Sequence, residues 1–322
     1  MEYQTDATAS LKREHIESKL GTNAEALSEK VNLRELCMQD TFRSVLEILL
    51  TWTLLGVSLY LVTRPIGILV KTLLFVFIAT RQYALIILMH DAFHGLLSRS
   101  KKLNDFLARW FLAFPVGSVY DNPKSKHLLH HQFLGELKDP DVSFYERKNN
   151  ISSLGHHFFI SLLLTQVAYT FLGKKKNKTA DGSPRYGMVF VAIVQLLIMG
   201  AFYLLGHWYY YILFWFLPIV TLVIFFDKVR IFCEHVPLSS WVSEKRAVLR
   251  TYSAHPIECF FVAPFDMNYH AEHHLYPGVP HFRLSVLRGL LDAKKIDGKG
   301  RWQSVDLQHS YLLFLSKYIR DL

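Results

Sequence analysis

The hydrophobic residues of this chain are gathered into long runs that alternate with polar, mostly basic segments. Residues 44–62 contain one charged residue, Glu47, whereas residues 187–205 and 208–226 contain none. A helix that crosses the hydrocarbon core of a bilayer needs about 20 apolar residues, and each run has about that length. A buried helix of a soluble protein is the alternative, but uncharged runs of this length favour transmembrane helices. We therefore predict an integral membrane protein.

A fourth apolar segment follows Pro65 and continues to about residue 94. It is longer than one crossing requires, so we expect its C-terminal end to project beyond the membrane. Lys71 and Arg81 interrupt it. Long basic side chains in spans commonly reach to the membrane interface, although Arg81 could instead face a polar pocket among the helices.

The connections between the spans predict the topology. Short connections join the first span to the second and the third to the fourth, which predicts two helical hairpins. The longer connections are basic, and lysine and arginine collect on the cytoplasmic side of membranes, so we expect both termini and the connection between the hairpins in the cytosol. The apolar segment 156–172 could also cross the membrane, which would reverse the later orientation, but we favour an interfacial or re-entrant helix.

These patterns predict an all-α integral membrane protein with four transmembrane helices in two hairpins and a helical cap on the cytosolic side. Residues 1–42 are polar and mixed in charge, without the apolar centre of a signal peptide, so we expect a cytosolic N-terminal segment. Residues 43–290 form the predicted membrane domain, and residues 291–322 a cytosolic C-terminal tail. The net charge of +9 could dock an acidic protein or orient the chain in the membrane, and no nucleic-acid partner is expected.

Three short segments are rich in histidine: HDAFH at 90–94, HLLHH at 127–131 and HAEHH at 270–274. Spacings of i, i+4 and of i, i+3, i+4 place the histidines of each segment on one face of a helix. All three segments fall on the predicted cytosolic side, and they contain eight of the chain's 16 histidines. This clustering predicts a metal site rather than solvated surface histidines.

Eight imidazoles exceed the capacity of one metal ion, which takes roughly four to six such ligands, so two metals are implied. Structural zinc usually has thiolate ligands, but Cys37, Cys233 and Cys259 do not cluster with the three segments. A zinc peptidase would carry HExxH, which the sequence lacks. Copper sites favour a thiolate or thioether, for which there is no indication. Imidazole-rich coordination with open positions suits iron that is used for oxygen chemistry.

The three segments resemble, in order and spacing, the histidine boxes of the membrane fatty acid desaturase superfamily, and the resemblance covers about residues 45–290. It implies a cytosolic non-haem di-iron centre that uses dioxygen and two electrons, from a ferredoxin or a cytochrome b5, to desaturate or hydroxylate an apolar chain. Carotenoid ketolases and hydroxylases share the boxes, and HDAFHG also resembles a ketolase first box. The ligands implied by the boxes are His90, His94, His127, His130, His131, His270, His273 and His274.

Related enzymes often add a ligand between the last span and the third box. In this chain His235, in RIFCEHVP, has that place, nine residues beyond the predicted end of the last span at 226, and we carry it over as a ninth ligand. His255 is its competitor. Some further histidines match no box, and of these we expect His156, His157 and His281 to be solvated or interfacial.

Several polar residues lie close to the boxes. Four are expected to accept a hydrogen bond from the ring of some other ligand, because a neighbour in a helix points about 100° away: Asp91, Glu234, Asn268 and Glu272. For Asp139 and Asp141, which follow the second box, we favour a simple turn around Pro140.

The predicted function is therefore a di-iron, dioxygen-dependent oxidoreductase that introduces a double bond into a fatty acyl or acyl-lipid chain. A hydroxylase or ketolase of a carotenoid or another apolar metabolite is the alternative. A non-catalytic metal transporter or sensor would place ionisable groups at the membrane midplane, whereas the last two runs carry no charge. Neither terminus has an HPGG-like cytochrome b5 motif, so we expect a separate electron donor.

Overall fold

The computed structural model describes residues 33–148, 150–162, 186–238, 247–294 and 301–322. Within these residues, four helical segments are long and apolar enough to cross a membrane: Leu33–Val62, Ile68–Phe93, Gly187–Leu204 and Tyr211–His235. They coincide with the four runs in which the sequence predicts spans. Of the segment 156–172, the structure describes only the part up to residue 162, and the prediction for the rest lies outside the described residues.

The first two spans form a packed pair. A short helix α1 (Leu33–Leu36) precedes α2 (Thr41–Val62), which starts where Asp40 accepts a hydrogen bond from the N–H of Arg43. Helix α3 (Ile68–Phe93) packs against α2 and has 26 residues. Its length of about 39 Å exceeds a hydrocarbon core of roughly 30 Å, in line with the long segment that the sequence predicts.

Shorter elements connect the two pairs of long helices. Helix α4 (Lys101–Leu107) continues through a π-helical turn (Ala108–Ala113) into a 3-10 turn (Phe114–Val116). After these come α5 (Asp121–Phe133), α6 (Val142–Tyr145) and α7 (Ile151–Leu162). Helix α5 carries the second histidine box and packs against α3, which carries the first.

The last long helix extends further than the sequence predicts. Helix α8 (Tyr186–Leu204) comes first. Two π-helical turns (Tyr211–Phe216 and Ile219–Val223) and α9 (Ile224–His235) follow it and together form one continuous helical segment, Tyr211–His235. The helix therefore continues beyond residue 226, where the sequence predicts the end of the apolar span, and His235 ends the helix itself. The apolar run stops at Asp227, but the helix continues because Arg230 pairs with Glu234 one turn later, at 3.2 Å.

The C-terminal part contains short elements and a small sheet. In chain order these are β1 (Arg250–Tyr252), α10 (Pro256–Val262), α11 (His270–Leu275), a 3-10 turn (His281–Arg283), α12 (Leu284–Lys294), a second 3-10 turn (Arg301–Ser304), β2 (Asp306–Gln308) and α13 (Tyr311–Arg320). The two strands pair in parallel. Residues 301–322, predicted as a tail, pack on the fold, where the Tyr311 ring stacks on Tyr252 at a centroid distance of 3.8 Å.

The outer surfaces of the long helices are apolar. Leu204 is 86% exposed and Leu197 67% exposed, a state that is favourable in hydrocarbon and unfavourable in water. Arg81 does not reach to the interface, the first of the two predicted alternatives. It is buried and does not reach outward: its guanidinium carbon lies 4.2 Å from the ring centroid of Phe260, and its Nε donates to the hydroxyl of Thr80 at 3.4 Å. The aromatic face stabilises this cation.

Candidate metal centre

Nine histidines meet at one end of the long helices, in the part of the chain that the structure describes. They divide into two groups. In each group every histidine offers one ring nitrogen, and these nitrogens all lie within 4.8 Å of one another. The five-histidine group is His90, His94, His127, His131 and His273. The four-histidine group is His130, His235, His270 and His274. These are the nine residues that the sequence nominates as ligands.

The spacing of the second and third boxes explains this division. In α5, His127 and His131 belong to the five-histidine group, and His130 belongs to the other. In α11 the middle histidine, His273, joins the five-histidine group, and the outer two join the other. Residues i and i+4 point about 40° apart on a helix, whereas i+3 and i+4 point about 100° apart. A helix that lies between two centres therefore offers i and i+4 to one and i+3 to the other.

The separations between ring nitrogens suit metal coordination. The Nε2 atoms of His94 and His127 lie 2.9 Å apart, and those of His131 and His273 lie 3.1 Å apart. In the four-histidine group, Nε2 of His270 lies 2.9 Å from Nε2 of His235 and 2.9 Å from Nε2 of His274. Two ligands at right angles on a metal with bonds of about 2.1 Å lie about 3.0 Å apart. The groups thus have the dimensions of coordination shells.

His90 supports the same interpretation. Its ring is buried, and neither nitrogen has a hydrogen-bond partner among the described residues. A buried polar ring without a partner is costly, and a metal ion is one of the few partners that its lone pair could take. Because both groups offer imidazoles only, they fit a metal that accepts nitrogen ligands, such as iron or zinc.

Five of the histidines outside the long helices favour the neutral form. Burial lowers the pKa of His127 and of His131 well below the ordinary value, and the neighbouring imidazoles lower it further. The same causes lower the pKa of His270, His273 and His274. A neutral imidazole has a free lone pair, which is the form that binds a metal.

Asp139 orients one of these rings, which corrects the prediction of a simple turn. Both of its carboxylate oxygens lie 3.0 Å from Nδ1 of His130, and it also accepts from the hydroxyl of Tyr145 and from the N–H of Asp141. Burial opposes the charge of Asp139, but the hydrogen bonds from His130 and Tyr145 hold its pKa below the ordinary value. A carboxylate on Nδ1 fixes the tautomer and turns Nε2 towards the centre. For His235 the carbonyl of Val248, 3.0 Å from Nδ1, has this role.

Of the four residues expected to accept from a ligand ring, only Glu234 lies beside one. Its Oε2 is 3.3 Å from Nε2 of His270. Glu272 instead pairs with Arg288 at 3.3 Å, and Asn268 donates to the carbonyl of Tyr252. Asp91 binds a histidine of neither group. The prediction is wrong for these three because their side chains turn away from the histidine groups, towards partners brought in by other segments.

His281 is the partner of Asp91, and the prediction that it is solvated or interfacial is wrong. It is 2% exposed, and its Nδ1 lies 2.7 Å from Oδ2 of Asp91. Its position after the third box, in VPHF, gave no signal of this contact. His255 lies outside both groups, where its exposed ring accepts the N–H of Ile257 and caps α10. His156 is exposed and His157 is partly buried.

Comparisons with known proteins indicate the family of the chain. Residues 67–297, which include all nine histidines, match the family model of the fatty acid desaturases. The chain is 24% identical to the dihydrorhizobitoxine desaturase of Bradyrhizobium elkanii, over 64% of this chain and 63% of that protein. It is 25% identical to the sn-1 acyl-lipid omega-3 desaturase (ferredoxin) of Synechocystis sp., over 64% and 62%.

A further relative is a beta-carotene ketolase of Paracoccus sp. (strain PC1), which is 26% identical over 75% of this chain and 89% of that protein. The chain thus spans less than two thirds of the two desaturases and most of the ketolase. These relatives differ in the reactions that their names describe.

Proposed function

Since the chain belongs to the fatty acid desaturase family, we propose that it is a membrane oxidoreductase that uses two irons and dioxygen to introduce a double bond into a fatty acyl or acyl-lipid chain. The observation that carries this proposal is the division of nine histidines into groups of five and four. Each group has enough imidazoles for one metal ion, and open positions would remain for dioxygen.

In this proposal the nine histidines are the metal ligands. The two groups contain no thiolate, which favours iron used for oxygen chemistry over structural zinc or a copper site. When bound, the irons would supply the activation of dioxygen that oxidation of an unactivated C–H bond requires. Burial favours the neutral form of five of these imidazoles, and Asp139 and the carbonyl of Val248 orient two of the nine. Five of the nine histidines are buried, which would help to keep water away from the reacting atoms.

The proposed orientation places both histidine groups on the cytosolic side of four transmembrane helices arranged in two hairpins, with residues 43–290 as the membrane domain. The basic connections support this orientation. An external donor of the ferredoxin or cytochrome b5 type would deliver electrons to the cytosolic face, and the name of the Synechocystis relative includes ferredoxin. The substrate is a lipid-like apolar molecule that enters from the bilayer.

Hydroxylation or ketolation of a carotenoid or another apolar metabolite is the second candidate. It is favoured by the match to the beta-carotene ketolase, which covers 89% of that protein. The matches to the two desaturases cover 63% and 62% of them. Both candidates require the same metal groups and the same dioxygen chemistry, and they differ in the substrate and in the fate of the oxidised carbon.

Two measurements test the proposal. Elemental analysis of protein purified from iron-replete cells should give two irons per chain. Lipid and pigment analysis of a host that expresses the protein should reveal new double bonds, or new oxygenated products for the second candidate. The His94→Ala variant is the matched control, since it removes one ligand and should abolish the product while the protein still inserts into the membrane. Active protein that holds zinc as its sole metal would contradict the proposal.

A further inference from the structure

One histidine group has five members and the other has four, and a carboxylate lies beside the four-histidine group. Glu234, the neighbour of His235 at the end of α9, is fully buried. Its Oε2 lies 3.3 Å from Nε2 of His270. That nitrogen is also 2.9 Å from Nε2 of His235 and 2.9 Å from Nε2 of His274, so it faces the middle of the group. The carboxylate of Glu234 therefore lies next to the atoms that would bind the metal.

The distance from Glu234 to His270 suits two ligands of one metal. Ligands at right angles, with bonds of about 2.1 Å, are about 3.0 Å apart, and the observed separation is 3.3 Å. A hydrogen bond from the His270 ring to the carboxylate would need a proton on Nε2. Since that nitrogen already faces two other imidazole nitrogens, its lone pair rather than a proton suits the position.

The charge and burial of Glu234 also call for a cation. The guanidinium of Arg230 lies 3.2 Å from Oε2, on the same helix. The second oxygen, Oε1, is buried and has no hydrogen-bond partner among the described residues. Burying a carboxylate is costly unless its acceptor capacity is met, and one guanidinium contact leaves much of this capacity unused. A metal ion in the four-histidine group would meet it.

We propose that Glu234 is a carboxylate ligand of the metal in the four-histidine group. The proposal rests on the proposed function, because it requires the two metals. Both centres would then have five protein ligands: five imidazoles in one, and four imidazoles with one carboxylate in the other. The carboxylate makes the second centre one unit less positive than the first, so the two irons are chemically distinct. Arg230 holds the carboxylate in place.

Glu272 provides a matched control within the same chain. It is also fully buried, it also adjoins a histidine of the groups, His273, and it also pairs with an arginine, Arg288 at 3.3 Å. Among the described residues, the ion pair of Glu272 is with Arg288 and with no histidine. Replacing either glutamate by glutamine removes one buried charge from an arginine pair, but only Glu234→Gln should remove a ligand.

The test is the binding of Fe(II), and separately of Co(II), to metal-free full-length protein by competition with a chelator. We expect Glu234→Gln to bind one metal as tightly as the unmodified protein does and the second more than 100-fold more weakly. Replacing a residue that only orients a ligand lowers metal affinity 10–100-fold, so a larger loss of affinity indicates direct coordination. Glu272→Gln should bind both metals within 10-fold of the unmodified protein. In Mössbauer spectra of iron-loaded protein, Glu234→Gln should alter one of two iron signals.

Two metals bound by Glu234→Gln with unchanged affinity and spectra would overturn the proposal, and so would an equal loss in Glu272→Gln. Unmodified protein that fails to bind two metals would instead refute the proposed function. If Glu234→Gln is not recovered as folded protein, Glu234→Asp takes its place. This variant keeps the charge next to Arg230 but withdraws the carboxylate by one methylene, so it should show the same loss at the second metal. Full binding by Glu234→Asp would likewise overturn the proposal.

Discussion

His281 and Asp91 join two segments that lie 190 residues apart in the sequence. The backbone N–H and the ring Nδ1 of His281 both approach the same Asp91 oxygen, Oδ2, at 3.1 and 2.7 Å. On its other side, Nε2 of His281 lies 3.0 Å from Oε2 of Glu47. Asp91 directly follows His90, and Glu47 lies on α2. One imidazole therefore ties α2, α3 and the segment after the third box together beside the five-histidine group.

We expect His281→Ala to destabilise the protein by roughly 3–5 kcal/mol, because it leaves the buried carboxylate of Asp91 without its cation, whereas the partly buried Glu47 keeps its ion pair with Arg43. Chemical unfolding of the detergent-solubilised protein, followed by circular dichroism, measures the change. His156→Ala, at an exposed position, should cost less than about 0.5 kcal/mol. A cost of under about 1 kcal/mol for His281→Ala would show that the contact stabilises little.

The same contact predicts how stability depends on pH. Burial disfavours the charged ring, but the carboxylates of Asp91 and Glu47 outweigh it and raise the pKa of His281 to about 9, from 6.5. The stabilisation is complete below pH 6.5, declines as the pH rises towards 9 and is lost above it. Over this range the free energy of unfolding should fall by roughly 3 kcal/mol. Unfolding measured between pH 6 and 10 should show this decline. His281→Gln, which cannot titrate, should remove it, and an unchanged pH profile in that variant would contradict the assignment.

Periodicity and hydropathy predicted the features that depend on local sequence. The bilayer sets a length that an apolar run either meets or does not, so the four long helices could be located from the sequence. The spacing of HLLHH and HAEHH likewise places three imidazoles on one helical face. How those faces divide between two centres was not predicted, since it depends on where α5 and α11 lie relative to each other.

The contacts that orient and surround the histidines could not be predicted in the same way. His281 meets Asp91 only because the chain folds back across 190 residues, and neither residue has a local pattern that indicates a partner. Asp139 lies nine residues after His130. The sequence around Pro140 predicts a turn, and a turn accounts for an aspartate there without a contact to His130. The helical end at His235 was missed because hydropathy reports apolar residues, whereas α9 continues through the polar pair of Arg230 and Glu234.

Asp139→Asn should weaken metal binding without removing a ligand. The carboxylate holds Nδ1 of His130, and residues with this role typically contribute 10–100-fold to metal affinity. Chelator competition with Fe(II) is the measurement. Asp141→Asn is the control, because Oδ2 of Asp141 lies 3.9 Å from the same nitrogen and we expect a loss of less than about 3-fold. Equal losses in the two variants would indicate a general effect of the loop rather than an oriented ring.

The last prediction compares His235 with His255, which compete for the place of the ninth ligand. His235 is buried, its Nδ1 lies 3.0 Å from the carbonyl of Val248, and its Nε2 lies 2.9 Å from Nε2 of His270. His235→Ala should therefore lose iron as well as activity. His255→Ala removes an exposed ring that caps α10, so it should keep its iron and cost about 1 kcal/mol of stability or less. Iron content per chain decides between them: loss of iron from His255→Ala but not from His235→Ala would mean that the ninth ligand is wrongly assigned. Retention of iron by both variants would mean that the centres bind their metals without His235.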